Sequence, residues 1–242
     1  MSDTDIRRRA AGRARTGFPE TKHLGLIVNP VAGIGGRVGL KGSDGVEIQQ
    51  RALSLGAVPQ ALDRAVQALA RLSDVVGLEI TTCPGEMGET VARACGFAPK
   101  LVGNVVSGQT TAEDTKAAAR QMRDLAVDLL VFAGGDGTAR DIYGAIGTNL
   151  PVLGIPAGVK IHSAVFANNP ISAGELARLY LEGQIDGLRE AEVMDIDEDA
   201  VRQGRVSAQL YGYLRIPFRA GLVQSLKVPS ASEAESLASI AQ

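Results

Sequence analysis

Tryptophan is absent from these 242 residues, aromatics make up only 4%, and there are just two cysteines and two histidines. An interior so poor in rings must rest on Ala, Val, Leu and Ile. With Cys83 and Cys95 alone, no disulfide framework or zinc knuckle is available. With His23 and His162 as the only imidazoles, a transition-metal cage lacks ligands. Free thiols suit a reducing compartment, so a cytoplasmic location is expected. Neither sign of charge dominates: 25 basic residues stand against 27 acidic, a formal net charge of −2. No global field calls for nucleic acid. Long apolar runs are missing too. The longest, such as 129–133, fall far short of the ~20 residues that cross a bilayer, and no apolar signal-peptide region follows the basic N-terminus. Neither nucleic acid nor a membrane is expected as a partner.

What is abundant is glycine, 29 residues, clustered in short loops between apolar runs. The length suits one medium domain, or one plus part of a second. At 45% hydrophobic and 21% charged, the composition is that of an ordinary globular chain. Residues 1–22 carry Arg7, Arg8, Arg9, Arg13 and Arg15 with almost no apolar period. They read as a disordered basic tail, or as a contact arm for phosphate or a partner. From residue 24 onward, apolar strand-like runs alternate with helical spacing. Strands are expected at 24–28, 76–81, 101–106, 129–133 and 152–155. Helices are expected at about 46–72, 86–94, 111–125, 139–146 and 173–182, with Thr111 and Asp114 close to a capping box. This alternation predicts an α/β fold, a parallel Rossmann-like sheet with helices on both faces, over residues 23–185. Period-two texture at 190–197 and 205–217 predicts the start of an antiparallel β domain within 186–242. The Ser/Ala/Glu-rich stretch 230–242 follows it.

Three loops leave the carboxyl ends of strands, where ligands bind in such sheets, and they are expected to share one cleft. The strongest signal is Gly134-Gly135-Asp136-Gly137-Thr138. The glycines let backbone approach a bulky ligand, free N–H groups at a helix start favour phosphate, and Thr138 can cap the helix or touch phosphate. Asp136 repels bare phosphate. It suits a partnership with Mg2+, or a general base on a hydroxyl nucleophile, or simply an N-cap. Asn29-Pro30-Val31-Ala32-Gly33 suits a turn or an amide placed on a nucleotide. Pro156-Ala157-Gly158-Val159-Lys160-Ile161-His162-Ser163 runs toward an expected helix start near His162. Lys160 suits phosphate as a point charge, and His162 a ligand contact or proton transfer. There is no GxxxxGK[ST] loop, no GxGxxG after a strand and no GxSxG elbow.

In this order the three loops resemble those of the NAD kinase and diacylglycerol kinase superfamily. The longer runs, 132–141 and 151–160, continued by 162–166, 192–197 and 210–214, are similar to the ATP-NAD kinase family that includes the acetoin-catabolism accessory proteins. The likeness spans residues 24–229. It implies phosphoryl transfer from ATP, or polyphosphate, to the adenosine ribose 2′-hydroxyl of NAD, giving NADP, with Mg2+ as cofactor. It implies that Asp136 serves the reacting hydroxyl or organises Mg2+. Asn29, Pro30, Gly33, Gly134, Gly135, Gly137, Thr138, Gly158, Lys160 and His162 are the implied nucleotide- and phosphate-binding residues. NAD and ATP are the implied small-molecule partners, with a homo-oligomer left open. Two departures stand beside the likeness. Well-studied NAD kinases grip NAD with an Asn-Glu or Asn-Asp pair, and 211–217 carries none. Relatives also run on past this chain's end, so the C-terminal domain is expected to be shortened. A kinase of a lipid or another small hydroxyl compound, and a non-catalytic nucleotide-binding module, are the alternatives.

Overall fold

The computed structural model describes residues 21–34, 51, 54–106, 108, 110–158, 161–185, 187–196 and 208–224. Residues 1–20, Gly35, Gly36, Lys160, Asp199, Gly204 and the stretch 230–242 lie outside the described residues.

Five parallel strands form one sheet: β1 (Lys22–Val28), β2 (Leu78–Thr82), β3 (Lys100–Leu101), β4 (Leu129–Gly134) and β5 (Val152–Pro156), in the order β3-β2-β1-β4-β5. The chain builds outward from β1 on one side and from β4 on the other, so the direction of winding reverses between these two strands. β4 lies in the interior, paired with β1 and β5, and all six of its residues are buried. Such a continuous apolar run is what a parallel strand covered on both faces requires. Phe132 meets Phe166 edge-on, ring centroids 5.3 Å apart. Between the strands run helices α1 (Ala61–Leu69), α2 (Glu89–Ala94), α3 (Ala112–Asp124), α4 (Asp136–Ile146) and α5 (Pro170–Leu181). α1 buries Ala61, Ala65, Ala68 and Leu69, one stripe at helical spacing. α3 opens on Thr111, whose hydroxyl accepts from the Asp114 N–H in a complete capping box.

Several boundaries differ from the sequence expectation. β1 takes in Lys22, whose N–H donates to the Gly77 carbonyl. The helix expected at about 46–72 is interrupted. Arg51 and Ser54 are helical, Gly56 at φ +82 turns the chain out of the helix, Pro59 disfavours helical backbone just before it, and α1 begins at Ala61. The strand expected at 101–106 shrinks to two exposed edge residues; Gly103, at φ +76 in the left-handed region, turns the chain away from the sheet. The helix expected from 139 begins at Asp136, so Gly137 and Thr138 lie in its first turn rather than before it. No helix starts at His162. Residues 161–165 are loop and turn, and Phe166 then lies alongside Gly154 in a parallel bridge. The missing side chain of Gly154 leaves the space that the Phe166 ring fills.

After α5 the chain forms an antiparallel hairpin, β6 (Leu188–Ile196) with β7 (Ala208–Pro217). Its inner face buries Ala191, Val193, Leu214 and Ile216. Register shifts between Val193, opposite Gly212, and Met194, opposite Leu210, so Tyr211 is the extra residue of a β-bulge. Gly212 sits against the Tyr143 ring of α4, where any Cβ would overlap it.

Candidate functional site

The loop after β1 is tied down at once. The Asn29 N–H donates to the Ala133 carbonyl of β4 at 2.9 Å. Its side-chain oxygen accepts from the Val31 N–H at 3.2 Å, a local turn. Its side-chain nitrogen donates to the Thr138 hydroxyl at 3.0 Å. Asn29 therefore makes the expected turn, and its amide joins the first loop to the second. Pro30 is buried beside it. Gly33, at φ +74, turns its Cα toward the Ala157 carbonyl so closely that a Cβ would collide with it.

The second loop is short. β4 ends at Gly134, extended Gly135 caps α4, and Asp136 is the first helical residue. The first intrahelical bond runs from the Ala139 N–H to the Gly135 carbonyl. The N–H groups of Asp136, Gly137 and Thr138 thus have no acceptor within the helix. A Cβ on Gly137 would meet nothing within 4 Å, so this turn faces open space. Gly134, by contrast, packs against Thr138, with a Cβ there only 2.5 Å from its side chain. Thr138 is buried and accepts from Asn29 rather than capping α4.

Asp136 does not cap its own helix either. Although only 7% exposed, its carboxylate reaches across to the third loop. Oδ2 accepts from the His162 N–H at 2.8 Å and Oδ1 from the Ser163 N–H at 3.0 Å. The third loop is held from the other side as well, since the Ala157 and Gly158 N–H groups donate to the Gly134 carbonyl at 2.8 and 3.3 Å. Gly158 and Gly135 face each other, each with its Cα close to the other's Cβ direction. The three loops that leave β1, β4 and β5 therefore meet at the point where the sheet's winding reverses, the place where open α/β sheets bind ligands. His162 contributes its backbone N–H, while its side chain is exposed. Lys160 lies outside the described residues.

Three residues at this junction have partners that the sequence does not disclose. Ser163, 1% exposed, donates its hydroxyl to the Met194 carbonyl and accepts from the Met194 N–H, both at 2.9 Å, linking the Asp136 loop to the hairpin. Arg140, one turn along α4 from Asp136, pairs with Asp195 of β6 at 2.8 Å and lies 5.6 Å from the centroid of the bulged Tyr211 ring. Burial opposes its charge, but Asp195, with Tyr211 and Asp141, holds the guanidinium above its ordinary pKa. Arg64 of α1 donates to the Pro156 carbonyl at 2.6 Å, across 92 residues of chain. Such pairings are set by tertiary placement and leave no periodicity to read.

A magnesium ion held by several side chains of the protein has no site among the described residues. Among the described residues no group of three His, Cys, Asp or Glu side chains is placed to hold a metal. Asp136 is a lone carboxylate whose two oxygens already accept backbone N–H groups. Nor is any helix of the described residues long and apolar enough to cross a membrane.

The sheet order and the glycine-rich loops at its carboxyl edge are those of a doubly wound α/β domain. Residues 24–185 match the ATP-NAD kinase N-terminal domain, so the chain belongs to that family. No curated protein matches it. Two structures bearing the name diacylglycerol kinase, both from Bacillus anthracis str. Sterne, are similar at 17% identity. They cover 75% and 76% of this chain with TM-scores of 0.37 and 0.35. A UDP-GlcNAc 2-epimerase from Neisseria meningitidis is similar at 15% identity over 58% of this chain and 33% of its own, with a TM-score of 0.31. The match spans 46% and 48% of the two diacylglycerol kinase chains, less than half their length.

Proposed function

We propose that this chain is a phosphotransferase. It moves the terminal phosphoryl group of ATP, or of polyphosphate, to the adenosine ribose 2′-hydroxyl of NAD, giving NADP, in the manner of the acetoin-catabolism accessory branch of its family. Residues up to about 185 bind the nucleotide, the hairpin beyond them adjoins the acceptor, and the reaction takes place in the cytoplasm. The observation that carries the reading is the convergence of three loops on Asp136 at the reversal of the sheet. The unpaired N–H groups of Asp136, Gly137 and Thr138 receive phosphate oxygens, with the α4 dipole behind them. Each Asp136 oxygen keeps a lone-pair direction after its backbone bond. One of these accepts the hydroxyl proton as the new O–P bond forms and the bond to the leaving phosphate breaks. Magnesium enters as the counter-ion of the nucleotide phosphates, not as a bound group of the protein. Transfer of this kind rests on positioning and charge stabilisation.

A second reading has its own support. Both Asp136 oxygens already serve the backbone of the third loop, which is the pattern of a structural clamp in a non-catalytic nucleotide-binding module. Purified protein incubated with NAD, ATP and magnesium chloride separates the two by chromatography. The phosphotransferase reading expects NADP and ADP in equal amounts. ATP bound without any ADP formed supports the binding module. ADP formed without NADP keeps the transfer chemistry but moves the acceptor to another hydroxyl compound or a lipid.

A further inference from the structure

We propose that Arg64 is an anion-binding and positioning residue of the phosphate-donor site, its ligand being a chain of linked phosphates. This rests on the phosphotransferase reading above. An oligophosphate brings several negative charges to the loop junction, and the only charged side chain described in the three loops there is Asp136, of the same sign. Among the described residues of the loops, 29–34, 134–138, 156–158 and 161–163, there is no lysine or arginine. Among the described residues, a cation reaches them from the first turn of α1. Arg64 Nη1 donates to the Pro156 carbonyl at 2.6 Å. Pro156 is the last residue of β5 and lies in register with Gly134. The two residues after it touch the other loops: the Ala157 carbonyl faces Gly33, and Gly158 faces Gly135. One guanidinium thus sits within two residues of the contacts that join the third loop to Gly33, Gly134 and Gly135.

Its bonding leaves it available. The second contact of Arg64, from Nη2 to Gln60 Oε1, is long at 3.5 Å. Both acceptors are neutral. Arg93, Arg123, Arg140 and Arg178 instead pair with carboxylates. Arg64 therefore keeps its full charge and further N–H donors in a half-buried position, where charge-assisted hydrogen bonds are stronger than in water. Its planar fork suits phosphate oxygens, and the bond to Pro156 fixes its orientation before a ligand arrives.

The test is calorimetric titration of the full chain with inorganic tripolyphosphate, with ATP and with adenosine, alongside thermal melts. Arg64→Gln keeps a donor for the Pro156 carbonyl but removes the charge. It is expected to weaken tripolyphosphate and ATP binding by roughly ten- to hundredfold, the usual worth of a charge-assisted contact, while adenosine binding stays within about twofold. Arg64→Lys, which keeps the charge, is expected to recover most of the loss. Equal phosphate affinity in wild type and Arg64→Gln overturns the proposal and leaves the phosphotransferase reading standing. So does parallel weakening of all three ligands with a lowered melting temperature and no recovery in Arg64→Lys, since that marks a purely structural role. Wild type that binds neither ATP nor tripolyphosphate overturns the underlying reading and this proposal with it.

Discussion

β4 and the β6–β7 hairpin flank the same helix, α4, yet they are placed by different forces. β4 is buried along its whole length and carries Phe132 into a core of aliphatic side chains. The hairpin buries only one face. Its orientation is set by polar and close-packed links: Ser163 with Met194, Arg140 with Asp195, and Tyr143 against Gly212. Hydrophobic burial is large and non-directional, whereas hydrogen bonds and ion pairs are modest but geometrically specific. The sheet supplies the stability that fixes the site's location, and the polar links determine how the hairpin presents itself to that site.

The contrast can be broken from either side. Phe132→Ala leaves a cavity under the Phe166 ring and is expected to cost about 3–5 kcal/mol, lowering the whole unfolding transition in a denaturant titration. Asp195→Asn weakens a pair that is partly buried on both sides. It is expected to cost about 1–2 kcal/mol, between the values for exposed and buried pairs. In hydrogen exchange the amides of β7 should then open faster while those of β4 keep their protection. Equal loss of protection in both strands would mean that the hairpin and sheet are one cooperative unit.

The smallest effect belongs to a buried thiol. Burial pushes the Cys83 thiol up to about 11, with the Asp114 charge adding to the shift. At pH 8 it stays protonated, and a thiol reagent should label the less buried Cys95 first. Because the folded pKa lies above the unfolded one, this group's contribution to stability is complete below an unfolded value of about 8.5. It is lost as pH rises toward the folded value of about 11. Cys83→Ala should flatten that part of the alkaline decline in melting temperature.

Legibility in the sequence follows the same division. The apolar runs of β1, β4 and β5, the hairpin texture and the Thr111–Asp114 box are all local patterns, and each appears where the pattern puts it. At the edge, the apolar run around Gly103 has the texture of a strand, but β3 ends after two residues and the chain turns away. The site was legible as three loops, because each leaves a strand at the same end. What each side chain does there was not. Of the roles open to Asp136, the N-cap is not the one its carboxylate plays, since it serves backbone groups 26 and 27 residues away. Asn29 and Thr138 bond across 109 residues, and Arg64 and Ser163 act through partners that no short spacing discloses.

Asp136→Asn tests the central claim most directly, with phosphoryl transfer and ATP binding measured on the same protein well below its melting temperature. The amide can accept from only one of the two loop N–H groups and points a donor at the other, so a loss of about 1–3 kcal/mol in stability is expected. If Asp136 also serves the reacting hydroxyl, NADP formation should fall by roughly 10²–10⁴-fold while ATP affinity changes only a few-fold, because the helix N–H donors remain. NADP formation that persists at the wild-type rate in a folded, ATP-binding variant would contradict the account.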